Sequence, residues 1–220
     1  ALTPSLPAGD GIHIEMGTIN TTPTCQLGVL PPAASVFGYI LPPNDAYYVL
    51  IDPQGSTCAN CPGGLLKLIA GHVQLYWTSP CQVELVLSVV GAAGPATCLA
   101  PNPFDVKCPP TTYILDDGGS LNACNDYTMP LPAACCVDGP VFLCVEFNQS
   151  TRPASRPAFC SPPACNNCNQ YNIYPGGNDD LCAVLSPFQV YGLIEYADVT
   201  CCQPTPTLPG SWGLLKTLYR

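Results

Sequence analysis

Apolar and polar residues alternate along several short stretches of this chain, and each stretch predicts a β-strand with one buried face. The clearest case is 83–89, where every second residue is Val or Leu. Similar runs at 47–51, 73–77, 141–147 and 188–196 predict further strands. The 27 prolines and 19 glycines are spread throughout the chain and exclude long helices nearly everywhere. The pattern therefore predicts an all-β protein of short strands and turns.

The order of these elements recurs after about 100 residues, which is close to the size of an immunoglobulin-like sandwich. In each half a strand precedes a C-x-x-C pair and a Pro-Gly-Gly turn, and further strands follow, near 182–185 and at 188–196 in the second half. We predict two tandem disulfide-stapled β-sandwich modules, immunoglobulin-like or jelly-roll-like, with extended termini. The predicted units are an N-terminal extension (1–22), module 1 (23–117), module 2 (118–203), and a Pro-rich linker with a tail (204–220). Chance recurrence in a chain rich in Cys and Pro is the alternative.

Sixteen cysteines in 220 residues indicate an oxidising compartment, because a reducing cytosol would keep such thiols free or metal-bound. The count is even, so up to eight disulfides can form. Residues 1–4 look like a mature N-terminus left by a signal peptidase. We therefore expect an extracellular or cell-surface protein. The cysteines assigned to disulfides are Cys25, Cys58, Cys61, Cys81, Cys98, Cys108, Cys124, Cys135, Cys136, Cys144, Cys160, Cys165, Cys168, Cys182, Cys201 and Cys202.

The C-x-x-C pairs favour structural disulfides over zinc or redox chemistry. Zinc ribbons place their two pairs about 15–20 residues apart, whereas Cys61 and Cys165 are far more widely separated. A redox centre needs a βαβ context that these turns lack. Vicinal cysteines on a strand point to opposite faces, so one sulfur of each vicinal pair can cross the core. We expect Cys202 to bond back toward Cys135 or Cys136.

Charge excludes several classes of partner. Six cationic residues face fifteen carboxylates, giving a net charge of −9, so we expect no nucleic acid and no anionic membrane as a partner. The longest apolar run, 83–100, is interrupted by Glu84 and Pro95 and is too short to span a membrane. Charged residues make up only 10% of the chain, against roughly 25% in typical soluble domains. Either other copies bury much of the surface, or uncharged polar side chains solvate it.

Candidate chemistry is sparse. Asp116, Asp117 and Asp126 are weak calcium candidates because oxygen-rich loops suit hard cations, and 178–180 is a shorter acidic turn of the same kind. The two histidines, His13 and His72, lie in strand-like runs, and no Gly-x-Ser-x-Gly elbow occurs. The carboxylates on the predicted strands suggest no particular pair for glycoside cleavage. We expect neither an enzyme nor a bound cofactor. The eleven tyrosines could form a sugar-stacking face or serve in core and interfaces.

The end of the chain carries a resemblance. Residues 212–220 read Trp-Gly-x-x-Lys-x-Leu-Tyr-Arg, and this stretch resembles the C-terminal tails of secreted bacterial proteins. The segment 168–202 is similar to the closing part of Cys-containing β domains in such proteins. The resemblance covers about a quarter of the chain, and it implies export and surface display.

These observations predict a subunit that polymerises with copies of itself into a filament, sheath or surface layer. An extended terminal segment can add a strand to a neighbour's sheet edge, and the alternating segment 11–16 is the candidate donor. A secreted carbohydrate- or surface-binding module is the alternative, and a protease inhibitor fits less well because no reactive loop is identifiable. The predicted subunit contacts are Ile12, Ile14 and Met16 in the donor segment, and Trp212, Leu215, Leu218 and Tyr219 in the tail.

Overall fold

The computed structural model describes residues 12–13, 25–32, 36–40, 42–132, 135–151 and 156–202, and these residues are nearly all β. One short helix, α1 (Leu181–Leu185), and three 3-10 turns accompany the strands in this part of the chain. The all-β prediction is therefore confirmed. The strands are β1 (Ile12–His13), β2 (Cys25–Val29), β3 (Val36–Ile40), β4 (Asp45–Ile51), β5 (Leu65–Tyr76), β6 (Gln82–Ala93), β7 (Ala100–Asp116), β8 (Cys124–Pro130), β9 (Cys136–Asp138), β10 (Val141–Ser150), β11 (Ala158–Ser161), β12 (Gln170–Tyr174), β13 (Gly177–Asp180) and β14 (Glu195–Cys201).

The strands form two sheets that pack face to face as a β-sandwich. The larger sheet has the order β1-β7-β6-β10-β4-β12-β13. The smaller sheet has the order β2-β14-β5-β11-β3, and both β8 and β9 also pair with β5. All these pairings are antiparallel except that of β1 with β7, which is parallel. Alternating side chains from both inner faces make one core, as the period of two along a strand requires.

Strands from either side of residue 117 are interleaved, which corrects the predicted tandem arrangement. In the larger sheet β10 lies between β6 and β4, and β12 pairs with the other side of β4. In the smaller sheet β14 lies between β2 and β5. Each predicted module thus supplies strands to both sheets, and residues 25–202 form one sandwich instead of two in tandem. Hydrogen bonding between distant strands produces this order, and no local pattern in the sequence reports it.

The alternation of 83–89 appears in the packing as expected. Val83, Leu85, Leu87 and Val89 are fully buried, whereas the residues between them are half-buried. Close approach of the two sheets depends on Gly71 of β5, because a Cβ at this position would lie 2.9 Å from Cδ1 of Leu87 and 3.2 Å from Cδ2 of Leu143. A larger residue at position 71 would push the sheets apart.

The strand predicted near 182–185 and the first part of the one predicted at 188–196 are wrong. Residues 181–185 are helical because the side chain of Asp180 caps the helix, accepting hydrogen bonds from the N–H groups of Cys182 (2.9 Å) and Ala183 (3.3 Å). A 3-10 turn at Ser186–Phe188 follows, and Gln189 adopts a left-handed φ of 59° that ends it. The last strand is β14, which begins at Glu195.

Seven disulfides form, one fewer than the maximum that the cysteine count allows. Three of them join residues of the two predicted modules and so fasten the interleaved halves. The assignment of Cys81 and Cys144 to disulfides is wrong, because neither belongs to these seven bridges. Cys81 lies in the central core, whereas Cys144 lies on the outer face of the larger sheet with Tyr48 and Phe142, so these two thiols are separated by the sheet. The bridges are Cys25–Cys58, Cys61–Cys201, Cys98–Cys168, Cys108–Cys135, Cys124–Cys160, Cys136–Cys202 and Cys165–Cys182.

Stapling on this scale is typical of proteins that fold in an oxidising compartment outside the cytosol. The expected bond from Cys202 to the vicinal pair is present and ends on Cys136. Its neighbour Cys135 bonds in the other direction, to Cys108 of β7, and so crosses between the sheets. None of the helices in the described parts of the chain is long and apolar enough to span a membrane.

Candidate functional site

The first candidate site is the side of β7 that faces away from β6, near the margin of the larger sheet. Residues 111–116 of β7 contain no proline, and the N-terminal strand pairs here in parallel, with Ile12 opposite Tyr113 and His13 opposite Ile114. We name residues 111–116 the receiving edge. The preceding part of β7 carries prolines, which lack the N–H that a strand ladder requires. These are Pro101, Pro103, Pro109 and Pro110.

Between those prolines β7 exposes two large apolar side chains. Phe104 is 97% exposed and Val106 is 52% exposed. Asp105 lies between them and Lys107 follows Val106, and these two residues form an ion pair of 3.0 Å. Charges and prolines on an edge strand oppose indiscriminate strand pairing, so this region presents an apolar surface while the receiving edge presents a backbone ladder.

The second candidate site is a pocket of about 270 Å³ at the end of the larger sheet where β4 begins. We name it the polar pocket. Polar groups from β4, β12 and β13 line one side of it, and apolar residues of α1 line the other. The lining residues are Asp45, Asn172, Tyr174, Asp179, Leu181, Val184 and Leu185.

Strand pairing and one disulfide build this pocket. The register of β4 and β12 places Ile173 opposite Ala46, so that the start of β4 meets the end of β12. The antiparallel pairing of β12 and β13 brings Asp179 back beside them. The capped helix α1 then forms the apolar wall, and Cys165–Cys182 ties its first turn to the preceding loop. The wall is therefore fixed to the sheet at two points, the cap and the disulfide.

Carboxylates dominate the electrostatics of the polar pocket. Asp45 is 8% exposed, and its Oδ2 accepts long hydrogen bonds from Nδ2 of Asn172 (3.4 Å) and the hydroxyl of Tyr47 (3.5 Å). Burial raises the pKa of Asp45, and these two bonds offset the rise only in part. The Tyr174 hydroxyl donates to Oδ2 of Asp179 at 3.0 Å. That bond and the charges of Asp179 and Asp45 raise the pKa of Tyr174, so both carboxylates act on one side of the pocket.

A polar network covers the outer face of the smaller sheet. His72 Nε2 lies 2.9 Å from Oδ2 of Asp198, and its Nδ1 lies 3.2 Å from the hydroxyl of Thr128. The ring of Tyr196 stacks on His72 at 4.3 Å, and its hydroxyl donates to Oδ2 of Asp126 at 2.6 Å. Thr128, His72 and Asp198 thus form a row of hydroxyl, imidazole and carboxylate, which is the order of groups in a hydrolytic triad. His72 is only 6% exposed, however, and the ring of Tyr196 covers it. The network therefore supplies hydrogen-bond partners to polar atoms that are buried on this face of the sheet.

A further cavity of about 260 Å³ lies between the 28–30 segment of β2 and the loop 162–170. Gln170 is the buried polar side chain in its lining, and both ends of its amide already bond to the backbone of Leu193. The backbone therefore engages both ends of the Gln170 amide, the group that could otherwise bind a ligand in this cavity.

The three calcium candidates engage different partners. Oδ1 of Asp116 accepts from the N–H of Gly118 at 3.0 Å within its own turn. Asp126 faces Tyr196 on the outer face, and the backbone carbonyl of Asp117 accepts from Asn125. Among the residues that the structure describes, no three His, Cys, Asp or Glu side chains group closely enough to hold a metal ion.

Every C-x-x-C cysteine belongs to a disulfide, and no pair bonds within itself. Cys58 and Cys61 reach Cys25 and Cys201 respectively, and Cys165 and Cys168 reach Cys182 and Cys98. Such cysteines have no thiolate to offer to zinc or to disulfide exchange.

The predicted subunit contacts are described in part. Ile12 lies at the receiving edge of its own chain. The remaining contacts lie outside the described residues: Ile14, Met16, Trp212, Leu215, Leu218 and Tyr219.

The polar pocket could not be recognised as a unit from the sequence. Asp179 belongs to an acidic turn that is visible in the sequence, but Asp45 precedes a strand and Asn172 lies within one. The pairing of β4 with β12 brings the last two together across more than a hundred residues. A polar residue at the first position of an otherwise apolar strand was the one available signal.

Comparisons with known proteins assign no family to this chain. The chain matches no protein-family model and no curated protein. Its fold has similarity to a structure of the clostridial cysteine protease Cwp84 after propeptide cleavage, with a TM-score of 0.48 and 8% identity over 77% of this chain and 38% of that one. A structure of the cysteine protease and lectin-like domains of Cwp84, a surface layer associated protein of Clostridium difficile, gives 0.44 and 10% over 72% and 32%. The chain thus spans less than two fifths of either structure's length. The class that the fold defines is a disulfide-rich β-sandwich.

Proposed function

We propose that this protein is an extracellular structural subunit that assembles with copies of itself into a filament, sheath or surface layer. The observation that carries the proposal is the parallel pairing of Ile12 and His13 with the receiving edge. The pairing adds a strand from a terminal segment to the margin of a sheet, and the same backbone ladder accepts the same segment from a neighbouring copy.

Chain length supports exchange between copies. Residues 14–24 connect β1 to β2, and a connection of this length spans at most ~40 Å. A sheet of seven strands spaced about 4.8 Å apart is ~29 Å wide. The connection is long enough for β1 to leave its own sandwich and pair with the edge of the next one.

Surface chemistry also supports assembly. Charged residues are 10% of the chain, and Phe104 and Val106 expose apolar surface beside the receiving edge. Exposed apolar groups next to the edge strand of a sheet are typical of contact surfaces between proteins. The seven disulfides would keep such a subunit folded in an environment without chaperones.

Proline substitution in the donor segment tests this proposal. Ile12→Pro together with Ile14→Pro removes two backbone N–H groups from the donor segment, including that of the paired residue Ile12, and we expect the variant to lose the polymers that negative-stain imaging detects for the unmodified protein. Ser5→Pro is the matched control, because it adds a proline outside the donor segment.

Two results would count against the proposal. The unmodified protein could remain monomeric at high concentration, or the proline variant could form the same polymers as the control. Circular dichroism and a thermal melt on all three proteins separate a loss of assembly from a loss of folding.

A second candidate function is recognition of a carbohydrate, and the polar pocket favours it. A carboxylate, an amide and a tyrosine beside an apolar wall can bond and pack against a sugar ring. A monomeric protein that a polysaccharide column retains, and that Asn172→Leu releases, would support this function over assembly.

A further inference from the structure

The polar pocket combines negative charge with an apolar wall. Asp45 and Asp179 supply the charge, and Val184 is the most exposed residue of the wall, at 44%. Phe188, three residues after the wall ends, is 75% exposed and extends the apolar surface. A neutral sugar would leave both carboxylates without a counter-charge. A ligand with cationic and large apolar side chains would satisfy both halves of the pocket.

Residues 212–220 of this chain have that chemistry. The segment holds Lys216 and Arg220, two of the six cationic residues in a protein of net charge −9, and it contains no Asp or Glu. Large apolar side chains precede and follow Lys216 and can pack on the wall. These are Trp212, Leu214, Leu215, Leu218 and Tyr219.

The polar pocket and the end of β14 lie at opposite ends of the sandwich. Tyr47, two residues from Asp45, packs on Phe159 with ring centroids 4.7 Å apart, and Phe159 pairs with Leu75 near the end of β5. Cys201 pairs with Leu66 at the other end of the same strand. Nine residues along a strand correspond to ~30 Å. β14 therefore delivers the chain to the face opposite the pocket.

This placement favours a second copy as the partner. Residues 203–209 include three prolines, and a Pro-rich segment favours an extended chain over one that turns back. A segment leaving one end of a subunit and a pocket at the other end make a head-to-tail contact. Such contacts build open filaments when the rotation does not close a ring.

We propose that the polar pocket of one copy binds residues 212–220 of a second copy, with Lys216 and Arg220 paired to the carboxylates of Asp45 and Asp179. The inference rests on the proposed function, because it names a second contact in the same assembly. The contact is independent of the donor strand, because it involves residues 212–220 and the polar pocket instead of the donor segment and the receiving edge.

Direct binding of a synthetic peptide tests the contact without polymers. The probe is fluorescein-labelled peptide 210–220. The receiver is the full chain carrying Ile12→Pro and Ile14→Pro, which switch off the donor strand, and Lys216→Glu and Arg220→Glu, so that its own tail does not compete. We expect saturable binding by fluorescence anisotropy that weakens as salt rises. Asp179→Lys in the receiver is expected to weaken binding about tenfold or more.

Controls make the result specific. Asp138→Lys, an exposed carboxylate on β9 away from the pocket, is expected to bind the peptide like the parent receiver. A peptide carrying Lys216→Glu is expected to bind Asp179→Lys better than it binds the parent, because the pair is reversed. Equal binding to the parent and Asp179→Lys, or no saturable binding at low salt, would overturn the proposal. Val184→Ser gives a second variant at the exposed wall if Asp179→Lys does not fold.

A mixing experiment separates a second copy from the chain's own tail. Both partners carry Ile12→Pro and Ile14→Pro, which switches off the donor strand. One partner also carries Asp45→Asn and Asp179→Asn, which remove both carboxylates of the pocket without adding a positive charge that could bind a reversed tail, and the other carries Lys216→Glu and Arg220→Glu. We expect each to be monomeric alone and the mixture to contain a 1:1 dimer by light scattering. A mixture that stays monomeric while the peptide binds would show that the tail of one chain does not reach the pocket of another, and it would refute the contact between copies.

Discussion

Glu195 pairs with Val73 between β14 and β5, and its carboxyl group is fully buried without a hydrogen-bond partner. It lies on the side of β14 that also carries Ala197 and Val199, both members of the core. Burial in this apolar setting raises the pKa of Glu195 well above its usual value of 4.5. The group is a proton-binding site inside the fold.

Glu195 makes stability fall as pH rises. Its folded pKa is raised, so between 4.5 and the folded pKa the folded chain holds a proton that the unfolded chain has lost. In that window the free energy of unfolding decreases by up to about 1.4 kcal/mol per pH unit from this group. We expect Glu195→Gln to remove this loss, so that thermal melts of the variant change less between pH 5 and pH 7 than those of the parent. An identical pH dependence in both proteins would contradict this account.

The hydroxyl of Tyr196 controls the ionisation of Asp126. Burial raises the pKa of Asp126, and the hydrogen bond from Tyr196 and the nearby His72 lower it. Tyr196→Phe removes the bond, so we expect the pKa of Asp126 to rise further. Carboxyl chemical shifts followed through a pH titration measure it. Tyr127→Phe is the control, because that hydroxyl bonds to the carbonyl of Asp116 and leaves Asp126 alone.

The alternation of apolar and polar residues predicted several strands correctly, but it failed at residues 181–185, where a capping residue stabilises a helix. The run 83–89 lies within β6 and the run 141–147 within β10, since a period of two fits a half-buried strand. The run near 182–185 is also apolar, but Asp180 satisfies the first N–H groups of a helix there. Short apolar runs permit both structures, and the capping residue determines which one forms.

Pairing between residues that are distant in the chain explains the remaining differences between the sequence-based predictions and the structure. The donor segment was predicted from its own alternation, and Ile12 lies in a strand. The polar pocket could not be predicted, because Asp45 and Asn172 meet only through the register of β4 and β12. The repeated order of C-x-x-C pairs suggested two units, yet Cys61 and Cys168 both bond across the predicted boundary. A sequence shows spacing along the chain and not which strands become neighbours.

The disulfides are expected to differ in their contributions to stability. Cys61–Cys201 has a sequence separation of 140 and Cys165–Cys182 of 17. The bridges Cys108–Cys135 and Cys136–Cys202 shorten the loop that Cys61–Cys201 closes to roughly 50 residues, so the chain-entropy difference between the two bridges is about 1 kcal/mol.

Paired Cys→Ser variants measure that difference. We expect the pair at 61 and 201 to lower the free energy of unfolding, obtained from denaturant melts, more than the pair at 165 and 182. The unmodified protein should also melt at a much lower temperature under strong reduction. An unchanged melting transition after full reduction, verified by thiol titration, would contradict the structural role of the bridges.

Phe104 provides a test of the surface beside the receiving edge. Its side chain is 97% exposed and makes little contribution to the core, so Phe104→Ser should leave the melting temperature nearly unchanged. If this apolar surface is buried between subunits, the same substitution should raise the protein concentration needed for polymers, because aromatic residues dominate the energetics of most protein contacts. Sedimentation at a series of concentrations gives that threshold. Leu30→Ser is the control, because it also removes an exposed apolar side chain (45% exposed) but lies just after β2, in neither proposed contact. If the β7 surface is a specific contact, the shift for Phe104→Ser should be larger than the shift for Leu30→Ser. Equal shifts at positions 104 and 30, or no shift at 104, would show that the β7 surface is not the specific contact.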